Sequence, residues 1–349
     1  MIVTTTGFYG TGSSAITDLL REYDSVSCKD DYEIRFLYDP DGVSDLEYNL
    51  IENPNRHNSS HSLKRFMRNM DRLDHIWFVN RYNKYFNGDF LPIIKKYISS
   101  ITELEYNSTW HYDVYDKGNF YYILTRTYSK LCSMSHKVFH TKMNGRALFS
   151  KNEKAYLTTV DEDVFLKATR EMVSSVANIL NDKNCPIIMF DQLVPPSNIQ
   201  RYNRYVENLK ILIVDRDPRD IYLLEKEVWH GTIVPVDDVV NFCKWFKWTR
   251  ETAKNSDTDN VLRVQFEDLI FNYDISIRRI ENFLGLSPKS HSKKMQYFVP
   301  KRSAINTQLW RSYTQYDKEM EYIRKSLPEF CYLFPVSNIE YDVNTNEIF

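Results

Sequence analysis

An α/β fold with a central parallel sheet flanked by helices is predicted by three features of the sequence. The chain opens as MIVTTTGFYGTGSSAITDLL (1–20). There Ile2, Val3 and the β-branched Thr4 to Thr6 suit a buried strand, glycines at 7, 10 and 12 suit a tight loop, and Ile16, Leu19 and Leu20 mark one face of a helix. Three later apolar runs, PIIMF (186–190), LKILIV (209–214) and VLRVQF (261–266), each give way to acidic residues, as parallel strands do where ligand-facing loops begin. Between the last two lies an amphipathic helix, 237–253, with Val240, Cys243 and Phe246 in one stripe.

The opening stretch is an anion-binding design. Glycines let the backbone bend so that successive N–H groups point into one concavity, and the following helix adds its positive N-terminal end. A phosphate fits there. Against the pattern G-x-x-x-x-G-K-[ST], Gly7, Gly12 and Ser14 match, while Ser13 stands where the lysine belongs. A glycine-rich turn without a ligand is the alternative reading.

Further along, a second parallel strand within 27–37 brings Glu33 and Arg35 toward the same sheet edge. Two residues apart in an extended segment, they point the same way, either into the site or as a surface ion pair. Asp39-Pro40-Asp41-Gly42 is a turn by its chemistry. From about 45 to 180 the chain is rich in Tyr, Asn, Lys and Arg, with helical patterns at 62–79, 91–104 and 163–180. This reads as a mostly helical insertion that shapes an acceptor pocket. Within it Trp110, His111, Tyr112 and Tyr115 suit either stacking on a sugar or packing in a core.

After PIIMF come Asp191 and Gln192, then the breaker 194–198. LKILIV delivers Asp215-Arg216-Asp217-Pro218-Arg219-Asp220 at its carboxyl end. Pro218 holds Asp217 extended and suits the first turn of a helix, which fixes Arg216 at the strand edge. Its guanidinium there either grips a phosphate with two parallel bonds or joins an Arg–Asp network tying strand to helix. Past VLRVQF, a helix with Asp274 at its N-cap turns Ile277, Ile280 and Leu284 inward and stops at Gly285. Lys301 and Arg302, just before Asn306 and Trp310, put two cations in one loop, as anion contacts or a solvated cluster.

Composition narrows the function classes. The 349 residues carry a formal net charge of −2, so no global field points to nucleic acid or an acidic membrane surface. Five cysteines (28, 132, 185, 243, 331) form no C-x-x-C pair and fit reduced thiols. His57 with His61, and His136 with His140, have helical i,i+4 spacing but no further ligands nearby, so a packing or surface role is expected rather than a metal site. No apolar run approaches the ~18 residues of a spanning helix. The glycine-loop unit occupies the N-terminus in place of a signal peptide, so a soluble, cytoplasmic protein is expected.

Taken together, four pieces resemble the sulfotransferases that use 3′-phosphoadenosine 5′-phosphosulfate (PAPS), in the same chain order. GFYGTGSSAITDLL (7–20) is similar to their 5′-phosphosulfate loop, and LKILIVDRDPRDIYLL (209–224) to their 3′-phosphate strand-turn-helix. VLRVQFEDLIFNYDISIRRIENFLGL (261–286) is similar to their R-[YF]-E-D-L segment and following helix, and KRSAINTQLW (301–310) to their cofactor-covering loop. The resemblance implies a three-layer, P-loop-like α/β fold forming one sulfotransferase-like domain over 1–349, with the acceptor-binding insertion at about 45–180. It implies a nucleotide cosubstrate, PAPS, leaving as adenosine 3′,5′-bisphosphate, a glycan or other hydroxyl acceptor, and no metal.

By the same resemblance Gly10, Thr11, Gly12, Ser13 and Ser14 cradle the 5′-phosphosulfate, and Arg216 binds the 3′-phosphate with Lys301 and Arg302 as further contacts. Glu33 is the base, in an E-x-R context, and Arg35 orients the acceptor or its leaving sulfate. Glu225, Glu227 and His230 are the other candidates nearest the sulfur. Two departures stand out: the family's loop Lys or Arg aligns with Gly10, and a family serine aligns with Leu224. The missing cation matters because negative charge grows on the bridging oxygen during transfer; Arg35, Lys301, Arg302 or an insertion residue is expected to replace it. The rival readings are a P-loop kinase or NTPase with Asp191 as a Mg²⁺ ligand, and a catalytically silent nucleotide- or glycan-binding protein.

Overall fold

A computed structural model describes residues 1–29, 32–139, 153–253 and 258–335. The chain forms two compact units, one of residues 1–35 with 177–349 and one of residues 36–176. In chain order the strands are β1 (Ile2–Gly7), β2 (Val26–Cys28), β3 (His75–Ile76), β4 (Val79–Asn80), β5 (Leu104–Asn107), β6 (Lys154–Leu157), β7 (Ile187–Asp191), β8 (Leu209–Asp215) and β9 (Val261–Gln265).

The first unit is α/β. Its sheet has the order β2-β7-β1-β8-β9, and every pairing in it is parallel. The middle strand, β1, is buried from Ile2 through Thr6, which is why it reads as an unbroken β-branched run rather than an alternating one. Register sets Thr5 opposite Asp191 on β7 and Leu212 on β8. Helices flank the sheet. Ile16, Leu19 and Leu20 of the first helix, Ser13–Arg21, pack with Val3, Met189 and Leu212 and with Ile277, Ile280 and Leu284 of the helix Tyr273–Leu284. Each such side chain contributes about 1.5–3 kcal/mol by leaving water. A second cluster gathers Ile221 to Leu224, Phe242, Phe246 and Ile323 from the remaining helices.

One expectation for this unit changes in detail. Asn272, not Asp274, stands at the N-cap of Tyr273–Leu284, and no side chain caps it. The preceding helix, Phe266–Phe271, ends one residue earlier, so no extended residue remains to present a capping oxygen. Asp274 instead sits in the first turn, 3.5 Å from Lys294. Gly285 ends the helix with φ 67°, as expected.

The second unit is mostly helical. The helix Arg56–Asp74 starts at Asn55, whose side chain accepts from the amides of His57 and Asn58, and it buries Leu63, Phe66 and Met70. The helical pattern expected over 62–79 breaks at Asp74, because Trp77 adopts a left-handed φ of 55° and turns β3 back antiparallel onto β4. Likewise the pattern over 91–104 resolves into the helix Phe90–Ser100 followed by β5, paired antiparallel with β6. Phe86, Phe90 and Tyr82 close this core with edge-on and stacked ring contacts. All five cysteines are free thiols, and among the described residues no helix is long and apolar enough to cross a membrane.

Candidate functional site

β1 lies in the middle of the sheet, with β7 and β2 on one side and β8 and β9 on the other, so connections diverge at its carboxyl end. That is where parallel sheets open a crevice for ligands. The glycine loop leaves β1 there. Gly10 and Gly12 take φ of 75° and 84°, a left-handed conformation that costs an L side chain roughly 1–2 kcal/mol. Space reinforces the choice: a Cβ on Gly12 would lie 2.7 Å from the Phe266 ring, and one on Gly10 would lie 3.1 Å from the Trp229 ring. The absence of a Lys or Arg at position 10 thus has a local cause.

Gly12 is the N-cap of Ser13–Arg21, no side chain caps it, and the first turn holds no acid. The helix therefore presents unneutralised amide dipoles at the loop. Ser14 is exposed and Ser13 half-buried. Gln192 Nε2 donates to Ser13 Oγ at 3.1 Å, while its Oε1 accepts from Thr6 Oγ1 at 3.0 Å. Thr11 is buried with its hydroxyl folded over Gly7, so its side chain packs the base of the loop.

At the end of β7, Asp191 accepts from the Thr5 hydroxyl at 2.9 Å. Burial, with a contribution from the Glu33 charge, pushes its pKa up to about 6. Glu33 and Arg35 are brought to this edge, since the Ile34 amide between them donates to the Asp191 carbonyl at 2.8 Å. They form a half-exposed ion pair with each other at 3.0 Å.

Arg216 is brought to the same loop in a different manner from the expected open grip. It is buried, Nη1 lies 3.5 Å from the Gly10 carbonyl, Nη2 donates to the Asn306 carbonyl, and the guanidinium sits 4.5 Å over the Phe266 ring. Only Nε, also buried, lacks a partner. Burial lowers its pKa, opposed by Asp220, Glu267 and Asp217. These carboxylates do structural work. Asp217 accepts from Arg219 and from the Tyr332 amide, Asp220 accepts from the amides of Gln308 and Leu309, and Glu267 accepts from the Asp217 amide. Burial raises Glu267 to about 8 and Asp220 to about 7. Asp215 pairs with Arg250 at 2.7 Å, so the DRDPRD stretch does tie strand to helix.

Lys301 and Arg302 are exposed on the short helix Pro300–Ser303, which packs on Phe266–Phe271. Sequence reasoning gave no role to Phe266 and Trp229, the rings that shape the loop, because nothing in an apolar run marks which ring will meet a glycine. Glu225, an alternative base, is buried; Oε1 accepts from the amides of Ile233 and Val234. Burial and the neighbouring Glu225 raise the pKa of loop residue Tyr9. Among the described residues no group of three His, Cys, Asp or Glu side chains is placed to hold a metal ion. No known protein-family profile and no curated protein sequence matches this chain.

Proposed function

We propose that the first unit is a PAPS-dependent sulfotransferase that moves a sulfuryl group to an acceptor hydroxyl, with a glycan as the favoured acceptor. The reading rests on one observation: two left-handed glycines run directly into an uncapped helix N-terminus at the carboxyl end of the central parallel strand, with a guanidinium against the same loop. Such a loop suits the 5′-phosphosulfate of the donor. Arg216 already serves two carbonyls, so its part is to hold positive charge against the loop, and the exposed Lys301 and Arg302 are the cations left for the 3′-phosphate.

In this reading Glu33 takes the proton of the acceptor hydroxyl as that oxygen bonds to sulfur, and the bond from sulfur to the phosphate oxygen breaks in line. Adenosine 3′,5′-bisphosphate leaves. Positioning and charge stabilisation carry the rate, as in phosphoryl transfer. Arg35, paired to Glu33, orients the carboxylate and the acceptor.

A kinase or NTPase reading draws on Asp191, which ends the strand next to β1 as a Mg²⁺ ligand would. Ser13 stands in place of the phosphate-binding lysine, so this reading is the weaker one. Calorimetry separates the two: adenosine 3′,5′-bisphosphate should bind tightly without metal, and tight binding of ATP·Mg²⁺ alone would reverse the choice. Turnover decides against a silent binder. Labelled sulfate should pass from PAPS to a glycan library, and Glu33→Gln should abolish transfer while leaving nucleotide affinity intact.

A further inference from the structure

The second unit holds a small cavity of its own, of about 30 Å³, between the first turns of the helix Arg56–Asp74 and the segment that follows β5. Arg56, His57, His61 and Lys64 line one wall, and Thr109 and Trp110 stand in the other. The acidic lining residue, Asp113, is already engaged: it accepts from Lys64 Nζ at 2.8 Å and from the Trp110 amide at 2.7 Å. Arg56 is exposed and has no carboxylate partner among the described residues.

The Trp110 ring is engaged by imidazoles. His57 stacks on the indole at 3.8 Å and 13°, and His111 stacks at 5.0 Å and 14°. The indole also has its edge N–H to offer. That nitrogen is buried with no hydrogen-bond partner, and so are Thr109 Oγ1 and His61 Nδ1, all three on residues lining this cavity. An unmet buried donor costs about 1–3 kcal/mol, and a native fold keeps one chiefly where something else satisfies it. Indole and guanidinium groups donate and cannot accept. What completes this cavity must therefore bring acceptors, and the unpaired guanidinium favours charged ones.

We infer that the cavity is an oxyanion-binding site that takes a carboxylate, phosphate or sulfate group, with the Trp110 indole N–H, the Thr109 hydroxyl and the Arg56 guanidinium as donors. The inference uses residues of the second unit alone and stands whether or not the first unit binds nucleotide.

The test is a titration of the ¹⁵N-labelled full chain with inorganic sulfate, inorganic phosphate and glucuronate at constant ionic strength, with glucose as the uncharged control. The Trp110 indole resonance, identified by its loss in Trp110→Phe, should shift saturably with at least one anion and not with glucose. Response to glucuronate alone would identify a sugar carboxylate; response to phosphate or sulfate would identify those groups. Arg56→Gln, an exposed change that leaves the core alone, should weaken binding about tenfold or more, the loss of one charge-assisted bond. No saturable shift with any of the three anions, or an Arg56→Gln protein that binds as tightly as the parent, overturns the assignment. Because the readout is local to Trp110, anions bound at the glycine loop do not enter it.

Discussion

Asp191 illustrates how a single half-buried side chain links the site to stability. Its pKa moves from an ordinary 3.8 up to about 6 on folding. Between those values the native state holds a proton that the unfolded chain has released, so raising the pH through this window weakens the fold, and above it the whole penalty is felt. Asp191→Asn keeps an acceptor for the Thr5 hydroxyl and removes the charge. It should gain on the order of 2–3 kcal/mol above about pH 7, and the gain should vanish near pH 4. Urea unfolding at the two pH values checks this, and an equal effect at both would refute it. Gly12→Ala should destabilise by about 2 kcal/mol or more, combining left-handed strain with overlap on the Phe266 ring; a denaturation midpoint unchanged from the parent would show that the ring yields freely.

At the scale of elements, buried carboxylates fasten the C-terminal segment to the sheet edge. Glu22, fully buried just past the first helix, lies 2.7 Å from His291 Nε2 and accepts from the amides of Met295, Tyr297 and Phe298. Glu22→Ala strands three backbone donors and should lose roughly 3–5 kcal/mol. Hydrogen exchange should report it first at those amides, and uniform loss of protection across the sheet instead would mean that Glu22 does not act locally. None of this was readable beforehand, since Glu22 follows an ordinary helix and its partners stand 269 to 276 residues away. By contrast the loop, the strand β8 and the helix stop at Gly285 were legible, because glycine positions, β-branched runs and apolar spacing are local signals.

For the whole molecule, sequence distance sets the order of assembly. β1 pairs with β7 and β8, so the central strand waits for segments near residues 187 and 209. The helix Arg56–Asp74 closes its bonds locally. Non-local pairing folds slowly because chain entropy is lost before contacts reward it. Pulse-labelling during refolding should therefore find the amides of Arg56–Asp74 protected before those of β1, and simultaneous protection would contradict the argument.

What the sequence determined by itself was the α/β class, the loop at the end of the first strand and the residue types around it, since these follow from backbone preference and from side-chain periodicity within a few residues. Tertiary structure alone decided how those residues are used. It left Arg216 a buried guanidinium against Gly10, where the sequence allowed a phosphate grip or an Arg–Asp network, and it stacked Trp110 with the imidazoles of His57 and His111, where the sequence allowed a sugar or a core. Burial and partner choice depend on atoms contributed from distant parts of the chain, and no local pattern carries them.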